Sequence, residues 1–283
     1  MGDASGVRTV TADDGIELHY EIVAQNATSA GRRALPVVLL HGALAGRRTF
    51  SRQHQALASL GRLIIPSARG HDGSDPTLSG DYGIDTSEVR DIAAILAAEG
   101  VERLHLIGHS SGGAIAFAFA RAFPDLIERL VLIEPALFTL MPEGALDSIP
   151  HVGPEIMQAA ETGDTKAMLR AFLEAAMGPA WLEFDDDTQS QQIAKIAKMA
   201  PFIAAHLRAL RRFAVGPADL KALGPPTLLF YGEDSFDFET KIAAQWRTHR
   251  PDLELILVEG AGHNVHRDRS DLVNAAICGF LDG

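Results

Sequence analysis

Two patterns of hydrophobic residues alternate along most of this chain. Short, continuous apolar runs of the kind found in buried strands are separated by longer segments in which apolar residues recur at helical spacing. The strand-like runs occupy residues 7–11, 16–23, 36–40, 62–66, 104–107, 130–133, 227–231 and 253–258. Because parallel neighbours need a crossover between them, this alternation predicts an α/β fold whose mostly parallel, eight-stranded sheet is covered by helices on both faces.

The alternation is interrupted once, between Ala136 and Pro217. This segment has no strand pattern, and its apolar residues recur every three or four positions, which predicts three or four helices. We therefore predict a core domain formed by residues 1–135 and 218–283, with a helical insertion at residues 136–217. Its large apolar side chains either line a substrate pocket or form the insertion's own core. The residues to which both interpretations apply are Phe138, Met141, Met177, Trp181 and Phe202.

The strand-like run at residues 104–107 leads into the pentapeptide Gly108-His109-Ser110-Ser111-Gly112, and an alanine-rich helical segment follows. A strand, a tight turn and a helix around Gly-x-Ser-x-Gly are typical of a nucleophile elbow. Such a turn lifts the serine hydroxyl clear of the sheet and directs backbone N–H groups at developing negative charge. We therefore predict that Ser110 is a nucleophile, although a serine before a helix also suits an N-cap.

A histidine in a glycine-rich loop follows the last predicted strand, in the sequence Gly260-Ala261-Gly262-His263. A serine elbow followed much later by such a histidine is the chain order of a Ser-acid-His triad. His266 is close enough in sequence to compete for the role. The flanking glycines favour His263, because a loop that turns back over the sheet needs them.

Four motifs together resemble the α/β-hydrolase superfamily, and the resemblance covers essentially the whole chain apart from the insertion. They are His41-Gly42 after the third strand, Arg69-Gly70-His71-Asp72-Gly73-Ser74-Asp75 after the fourth, the serine elbow after the fifth, and the loop ending at His263 after the eighth. The resemblance implies the α/β-hydrolase fold, a cap at the insertion, and a strand-end His41 that shapes the oxyanion loop. It places the oxyanion hole at the backbone N–H groups of Ala43 and Ser111. One departure is Pro66-Ser67-Ala68, where the family often has an aspartate, and we expect it to affect loop packing.

The triad acid has two candidates. Family members commonly place it three residues past the glycine that ends the seventh strand, but that position, counted from Gly232, is Ser235. Asp234 lies one residue early. Glu134 instead ends the strand beside the nucleophile strand, and in this it resembles haloalkane dehalogenases and zearalenone lactonases, which place the acid there. We favour Glu134 over Asp234.

The resemblance and the serine nucleophile predict hydrolysis of a small apolar carboxylic ester or lactone through an acyl-enzyme. Hydrolysis of a carbon–carbon bond in a diketone-like substrate is an alternative in the same fold. A ligand receptor that retains a triad is an alternative of another class, because a fold does not by itself determine function. A serine at the elbow argues against the dehalogenase and epoxide-hydrolase branches, which use aspartate there.

Composition restricts the partners. The 283 residues carry a formal net charge of −12, which would repel nucleic acid and anionic membranes. No sequence motif has metal-ligand spacing or forms a phosphate-binding glycine loop, so we expect no metal and no cofactor. The single cysteine, Cys278, and the lack of a signal-peptide or membrane-span pattern favour a cytoplasmic protein. A small-molecule substrate is the expected partner, and a homodimer is compatible with the sequence.

Overall fold

Eight strands of this computed structural model form one sheet. They are β1 (Gly6–Thr11), β2 (Glu17–Val23), β3 (Val37–Leu40), β4 (Leu63–Pro66), β5 (Leu104–His109), β6 (Ile127–Ile133), β7 (Thr227–Gly232) and β8 (Glu254–Val258). Their order across the sheet is β1-β2-β4-β3-β5-β6-β7-β8. The structure describes residues 5–26, 34–78, 81–142, 153–177 and 179–283.

The sheet is antiparallel only at its first edge, where β1 pairs with β2 and β2 with β4. The remaining neighbours are parallel, and every residue of β3, β5 and β7 is buried, as strands covered on both faces require. The predicted fold class is therefore confirmed. Most strand boundaries lie within two residues of the predicted ones. The largest difference is in β6, which begins at Ile127 rather than residue 130, because the half-buried Glu128 and Arg129 interrupt the apolar run.

Helices cover both faces of the sheet. In chain order they are α1 (His54–Leu57), α2 (Val89–Ala98), α3 (Ser111–Ala122), α4 (Pro154–Thr162), α5 (Thr165–Met177), α6 (Pro179–Leu182), α7 (Asp186–Ile196), α8 (Ala200–Arg212), α9 (Pro217–Ala222), α10 (Asp237–His249), α11 (Val265–Asp268) and α12 (Ser270–Asp282). One apolar cluster joins a face of the sheet to α2, α3 and α10 through Ile92, Phe117 and Trp246. The other joins the opposite face to α1 and α12 through Leu57 and Ile277. None of the described helices has the length and apolar character needed to cross a bilayer.

The helical insertion shares the larger apolar cluster of the core. Within the described residues it contains the five helices α4 to α8, one more than the upper end of the predicted three or four, because α6 forms a separate single turn. Its residues Leu169, Phe172 and Leu207 belong to the same apolar cluster as Leu132 in β6. The domain boundaries at residues 135/136 and 217/218 stay a prediction.

An arginine fixes the loop that follows β4. Arg69 is 1% exposed, and its Nε and Nη2 donate to the two carboxylate oxygens of Asp91 on α2, both at 2.7 Å. Nη2 also donates to Asp14 at 2.8 Å. This bidentate pair attaches the glycine-rich motif that begins at Arg69 to helix α2.

We expect Arg69→Met to destabilise the protein by about 3–5 kcal/mol, because it leaves the buried Asp91 carboxylate without its cation. The measurement is urea-induced unfolding at pH 7. Asp14→Asn is the matched control and should cost about 1 kcal/mol or less, since Asp14 lies nearer the solvent. Adding Asp91→Leu to Arg69→Met should recover much of the loss, and a double variant no more stable than Arg69→Met would contradict this explanation.

Candidate active site

Ser110 occupies a strained turn between β5 and α3. Its backbone has φ 56° and ψ −121°, a left-handed conformation that a non-glycine residue adopts only when its surroundings enforce it. A Cβ at Gly108 would lie 2.3 Å from the carbonyl oxygen of Gly112, and a Cβ at Gly112 would lie 2.2 Å from that of Leu40. Both flanking glycines are therefore required by close backbone approach, as the sequence motif predicts.

A chain of hydrogen bonds links Ser110, His263 and Glu134. The Oγ of Ser110 lies 3.0 Å from Nε2 of His263, and Nδ1 of His263 lies 2.5 Å from Oε2 of Glu134. The sheet positions two of the three side chains, because β5 and β6 are parallel neighbours with His109 opposite Ile133. Ser110 and Glu134 therefore follow adjacent strand ends, and the loop after β8 brings in His263.

Three donors surround the Glu134 carboxylate, which is fully buried. Its Oε1 accepts from the backbone N–H of Gly232 at 2.8 Å, and its Oε2 accepts from the hydroxyl of Ser235 at 2.6 Å as well as from His263. Asp234, the other acid that the sequence suggests, has an exposed side chain and donates its backbone N–H to Ala261. The geometry thus brings Glu134, not Asp234, to the histidine.

Sequence reasoning missed the role of Ser235. It occupies the position where the family commonly has the triad acid. Here its hydroxyl donates to the carboxylate of Glu134, the acid that the structure brings to the histidine. The signal that could have identified it is the residue type at the third position past Gly232, since a serine hydroxyl in this loop can reach an acid on the neighbouring strand.

A cavity of about 100 Å³ opens beside Ser110 and His263. The predicted oxyanion residues Ala43 and Ser111 both line it. In the part of the chain that the structure describes, neither backbone N–H donates to a protein acceptor. Two unpaired N–H groups next to a serine hydroxyl are suited to hold an oxyanion.

The rest of the cavity wall is mostly apolar. It consists of Gly42, Ala45, Ala136, Phe138, Phe172, Leu207 and Leu210 together with the polar residues His109 and Asn264, and the lining residues include no lysine or arginine. Of the apolar side chains suggested by the sequence, Phe138 is therefore at the cavity, whereas Trp181 packs on Phe184 and Phe202 on His71. Met141 is buried away from the cavity, and the side chain of Met177 lies outside the described residues.

Two other histidines support this arrangement. His109 donates from Nε2 to the backbone carbonyl of His263 at 2.9 Å, and burial lowers the pKa of His109 well below its ordinary value. His266, the competitor suggested by the sequence, is fully buried, and its Nε2 lies 3.1 Å from the hydroxyl of Thr49. Burial lowers the pKa of His266 to about 3. Of the two candidates, His263 is the one that contacts Ser110.

Glu239 on α10 lies close behind the acid. Potential ligand atoms of Glu134, Glu239 and His263 lie within 4.8 Å of one another, a grouping that sequence spacing could not reveal. Burial, and then the charge of Glu134, raise the pKa of Glu239 well above its ordinary value. A raised pKa disfavours the carboxylate form that binds metals, and the oxygens of Glu134 already accept from three donors. The chemistry of this group therefore suits a hydrogen-bonded Ser-His-Glu chain better than a metal centre.

Comparison with known proteins identifies the family and the fold of this chain. The sequence model described as the alpha/beta hydrolase family matches residues 37–276. A 2-hydroxy-6-oxononadienedioate/2-hydroxy-6-oxononatrienedioate hydrolase from Paraburkholderia xenovorans is 25% identical over 291 positions, which cover 97% of this chain and 94% of that protein.

Two solved structures are similar in fold. An esterase from Exiguobacterium antarcticum aligns with a TM-score of 0.76 at 20% identity, over 97% of this chain and 99% of its own. The enol-lactonase from Burkholderia xenovorans aligns with a TM-score of 0.74 at 20% identity, over 98% and 100%. Because the family match spans most of the sequence, this chain belongs to the alpha/beta hydrolase family of enzymes.

Proposed function

We propose that the protein is a serine hydrolase that cleaves small, apolar carboxylic esters or lactones. The observation that carries this proposal is the hydrogen-bonded chain Ser110–His263–Glu134 beside an apolar cavity that also contains two unpaired backbone N–H groups. A nucleophile, a base, a group that orients the base and an oxyanion hole are the parts that acyl transfer requires.

In the proposed mechanism, Ser110 Oγ attacks the substrate carbonyl carbon while Nε2 of His263 accepts the hydroxyl proton. The Glu134 carboxylate stabilises the resulting imidazolium, and the N–H groups of Ala43 and Ser111 stabilise the oxyanion. His263 then protonates the leaving alkoxide, and an acyl-enzyme remains. Water, deprotonated by His263, attacks this ester, and His263 returns the proton to the departing Ser110 Oγ as the carboxylic acid is released. With a lactone, the alcohol and the acid leave as one molecule.

The composition of the cavity favours esters and lactones over the carbon–carbon alternative. The relative from Paraburkholderia xenovorans is named for dioate substrates, which carry two carboxylates. Two buried carboxylates need cationic or donor-rich partners, whereas the residues lining this cavity include no lysine or arginine. An uncharged substrate fits this wall better.

The helical insertion at residues 136–217 is the proposed cap. Three of its side chains, Phe172 on α5 and Leu207 and Leu210 on α8, line the cavity beside Ser110. A substrate in the cavity would therefore contact the insertion on one side and the core domain, residues 1–135 and 218–283, on the other. This supports a role of the insertion in substrate selection.

A turnover assay tests the proposed function. Purified protein is incubated with p-nitrophenyl esters of two to eight carbons, with small lactones and with an uncharged 1,5-diketone dienol. We expect many turnovers per enzyme with esters or lactones, and covalent labelling of Ser110 by a fluorophosphonate. Turnover of the diketone alone would favour carbon–carbon hydrolysis. Release of a single equivalent would favour the receptor alternative.

Phe172→Ala is expected to shift acyl-chain preference towards longer chains. Removing this ring enlarges the apolar cavity, and each additional methylene that finds room contributes about tenfold or more to kcat/KM. The measurement is the ratio of kcat/KM for octanoate to that for butyrate, which should rise at least about tenfold. Phe184→Ala is the matched control, because Phe184 packs on Trp181 away from the cavity and should leave the ratio unchanged. An equal shift in both variants would contradict the role of Phe172.

A further inference from the structure

The loop after β3 has a strained backbone. We call residues 41–46 the oxyanion loop, because they contain Ala43. Within it, Leu44 has φ 61°, a left-handed value that is unusual for leucine. A backbone in this conformation keeps its shape only if the surrounding structure holds it. Two buried histidines do so, one from the oxyanion loop and one from the loop after β4.

His41 holds the peptide that carries the Ala43 N–H. Its Nδ1 donates to the carbonyl of Gly42 at 2.8 Å, and its Nε2 accepts from the backbone N–H of Ala68 at 3.1 Å. The carbonyl of Gly42 and the N–H of Ala43 belong to one planar trans peptide and point in opposite directions. Holding that carbonyl therefore sets the direction of the Ala43 N–H.

His71 holds the next peptide, between Ala43 and Leu44, by its N–H group rather than by its carbonyl. Its Nε2 accepts from the backbone N–H of Leu44 at 3.1 Å, and its Nδ1 donates to the carbonyl of Arg69 at 2.9 Å. Only a neutral imidazole can accept and donate in this way. Burial, and then the neighbouring His41, lower the pKa of His71 to about 3, so the ring stays neutral at physiological pH. The peptides on both sides of Ala43 are thus held by histidine nitrogens.

The cap holds His71 in turn. Phe202 on α8 is 1% exposed, and its ring contacts the His71 ring edge-on with centroids 5.2 Å apart. Phe202 also stacks on His206 of the same helix, at 5.2 Å between centroids. Nδ1 of His206 lies 2.8 Å from the hydroxyl of Tyr82, which also donates to Glu88. The Phe202 ring is therefore fixed between the cap helix and the core domain, and it is not part of the cavity wall.

We propose that His71 is a positioning residue of the oxyanion hole and that Phe202 couples it to the cap. This inference rests on the proposed function, since it needs Ala43 to stabilise an oxyanion. His71 touches no substrate. It fixes the Leu44 N–H and hence the orientation of Ala43. When α8 is packed against the core domain, its Phe202 ring keeps the His71 imidazole within hydrogen-bonding distance of the Leu44 N–H. The cap then contributes to the rate of the chemical step as well as to substrate selection.

His71→Leu and His71→Gln form the test pair. Leucine removes the acceptor, whereas the Oε1 of glutamine can replace Nε2 as the acceptor for the Leu44 N–H. With p-nitrophenyl butyrate we expect His71→Leu to lower kcat about 100-fold with KM within about twofold, because a misplacement near 1 Å has an effect of this size. His71→Gln should retain kcat within about tenfold, and a boronic acid inhibitor should lose affinity for His71→Leu only. Equal losses in both variants, or no loss in His71→Leu, would overturn the inference.

Phe202→Leu tests the coupling of His71 to the cap. It also tests the inference if circular dichroism shows that His71→Leu does not fold. We expect kcat to fall several-fold by the same factor for acetate, butyrate and octanoate esters, with a parallel loss of boronic acid affinity. A changed chain-length preference at unchanged kcat for acetate would make Phe202 a pocket residue and refute the coupling. These outcomes are distinguishable from a failure of the proposed function itself. In that case the wild-type protein would turn over no ester and would not react with a fluorophosphonate.

Discussion

Ser110→Ala is expected to lower kcat for ester substrates about 10⁴- to 10⁶-fold, and His263→Ala should have a similar effect. The reason is that the serine oxygen and the imidazole act as one unit through their 3.0 Å hydrogen bond, so removing either member disables nucleophilic attack. The measurement is steady-state hydrolysis of a p-nitrophenyl ester, together with thermal unfolding of each variant.

The double variant and His266→Ala are the controls for this prediction. Because the two groups act together, Ser110→Ala/His263→Ala should be little slower than either single variant. His266→Ala should retain kcat within about tenfold, since His266 bonds to Thr49 rather than to Ser110. If His263→Ala remained active while a folded His266→Ala variant lost activity, the assignment of the base would be wrong.

Glu134→Gln is expected to lower kcat about 10³- to 10⁴-fold, whereas Asp234→Asn should change it by less than about twofold. A neutral amide at residue 134 cannot balance the imidazolium, and its NH₂ group can hold His263 in the wrong tautomer. The exposed Asp234 makes no such contact with the histidine. Both variants are assayed with the same ester after their folding has been verified.

Relocating the acid provides a sharper control for Glu134. The Oγ of Ser235 lies 2.6 Å from the Glu134 oxygen that bonds to His263, so a carboxylate at residue 235 would lie within reach of Nδ1. Ser235→Asp introduced into Glu134→Ala should therefore recover at least about tenfold in kcat relative to Glu134→Ala alone. A greater loss in Asp234→Asn than in Glu134→Gln would instead move the acid to Asp234 and leave the rest of the mechanism intact.

The amino-acid sequence by itself determined the strands and the elbow. Short, continuous apolar runs bounded by turn signals are typical of strands buried on both faces, so β3, β5 and β7 were predictable to within one or two residues. The elbow around Ser110 was predictable from its short motif, in which Gly108 and Gly112 lie where a Cβ would collide with the backbone of Gly112 and of Leu40. The family resemblance followed from such local motifs, and the family match confirms it.

The acid could be narrowed only to two residues from the sequence. Glu134 and Asp234 both follow buried strands, and chain order does not say which carboxylate reaches the histidine. In the tertiary structure the donors of Gly232 and Ser235 hold the Glu134 carboxylate beside His263 from a different strand end, and this geometry supports Glu134 as the proposed acid.

The cavity wall and the supports of the oxyanion loop also depended on the tertiary structure. Phe172 and Phe202 have the same residue type and similar helical context, yet one lines the cavity and the other contacts His71, because helix packing sets the direction of each face. Periodicity identifies the buried face of a helix without saying what that face touches. Contacts such as those of His71 with Leu44 and Phe202 join segments far apart in the chain, so they arise only when the packed domain brings those segments together.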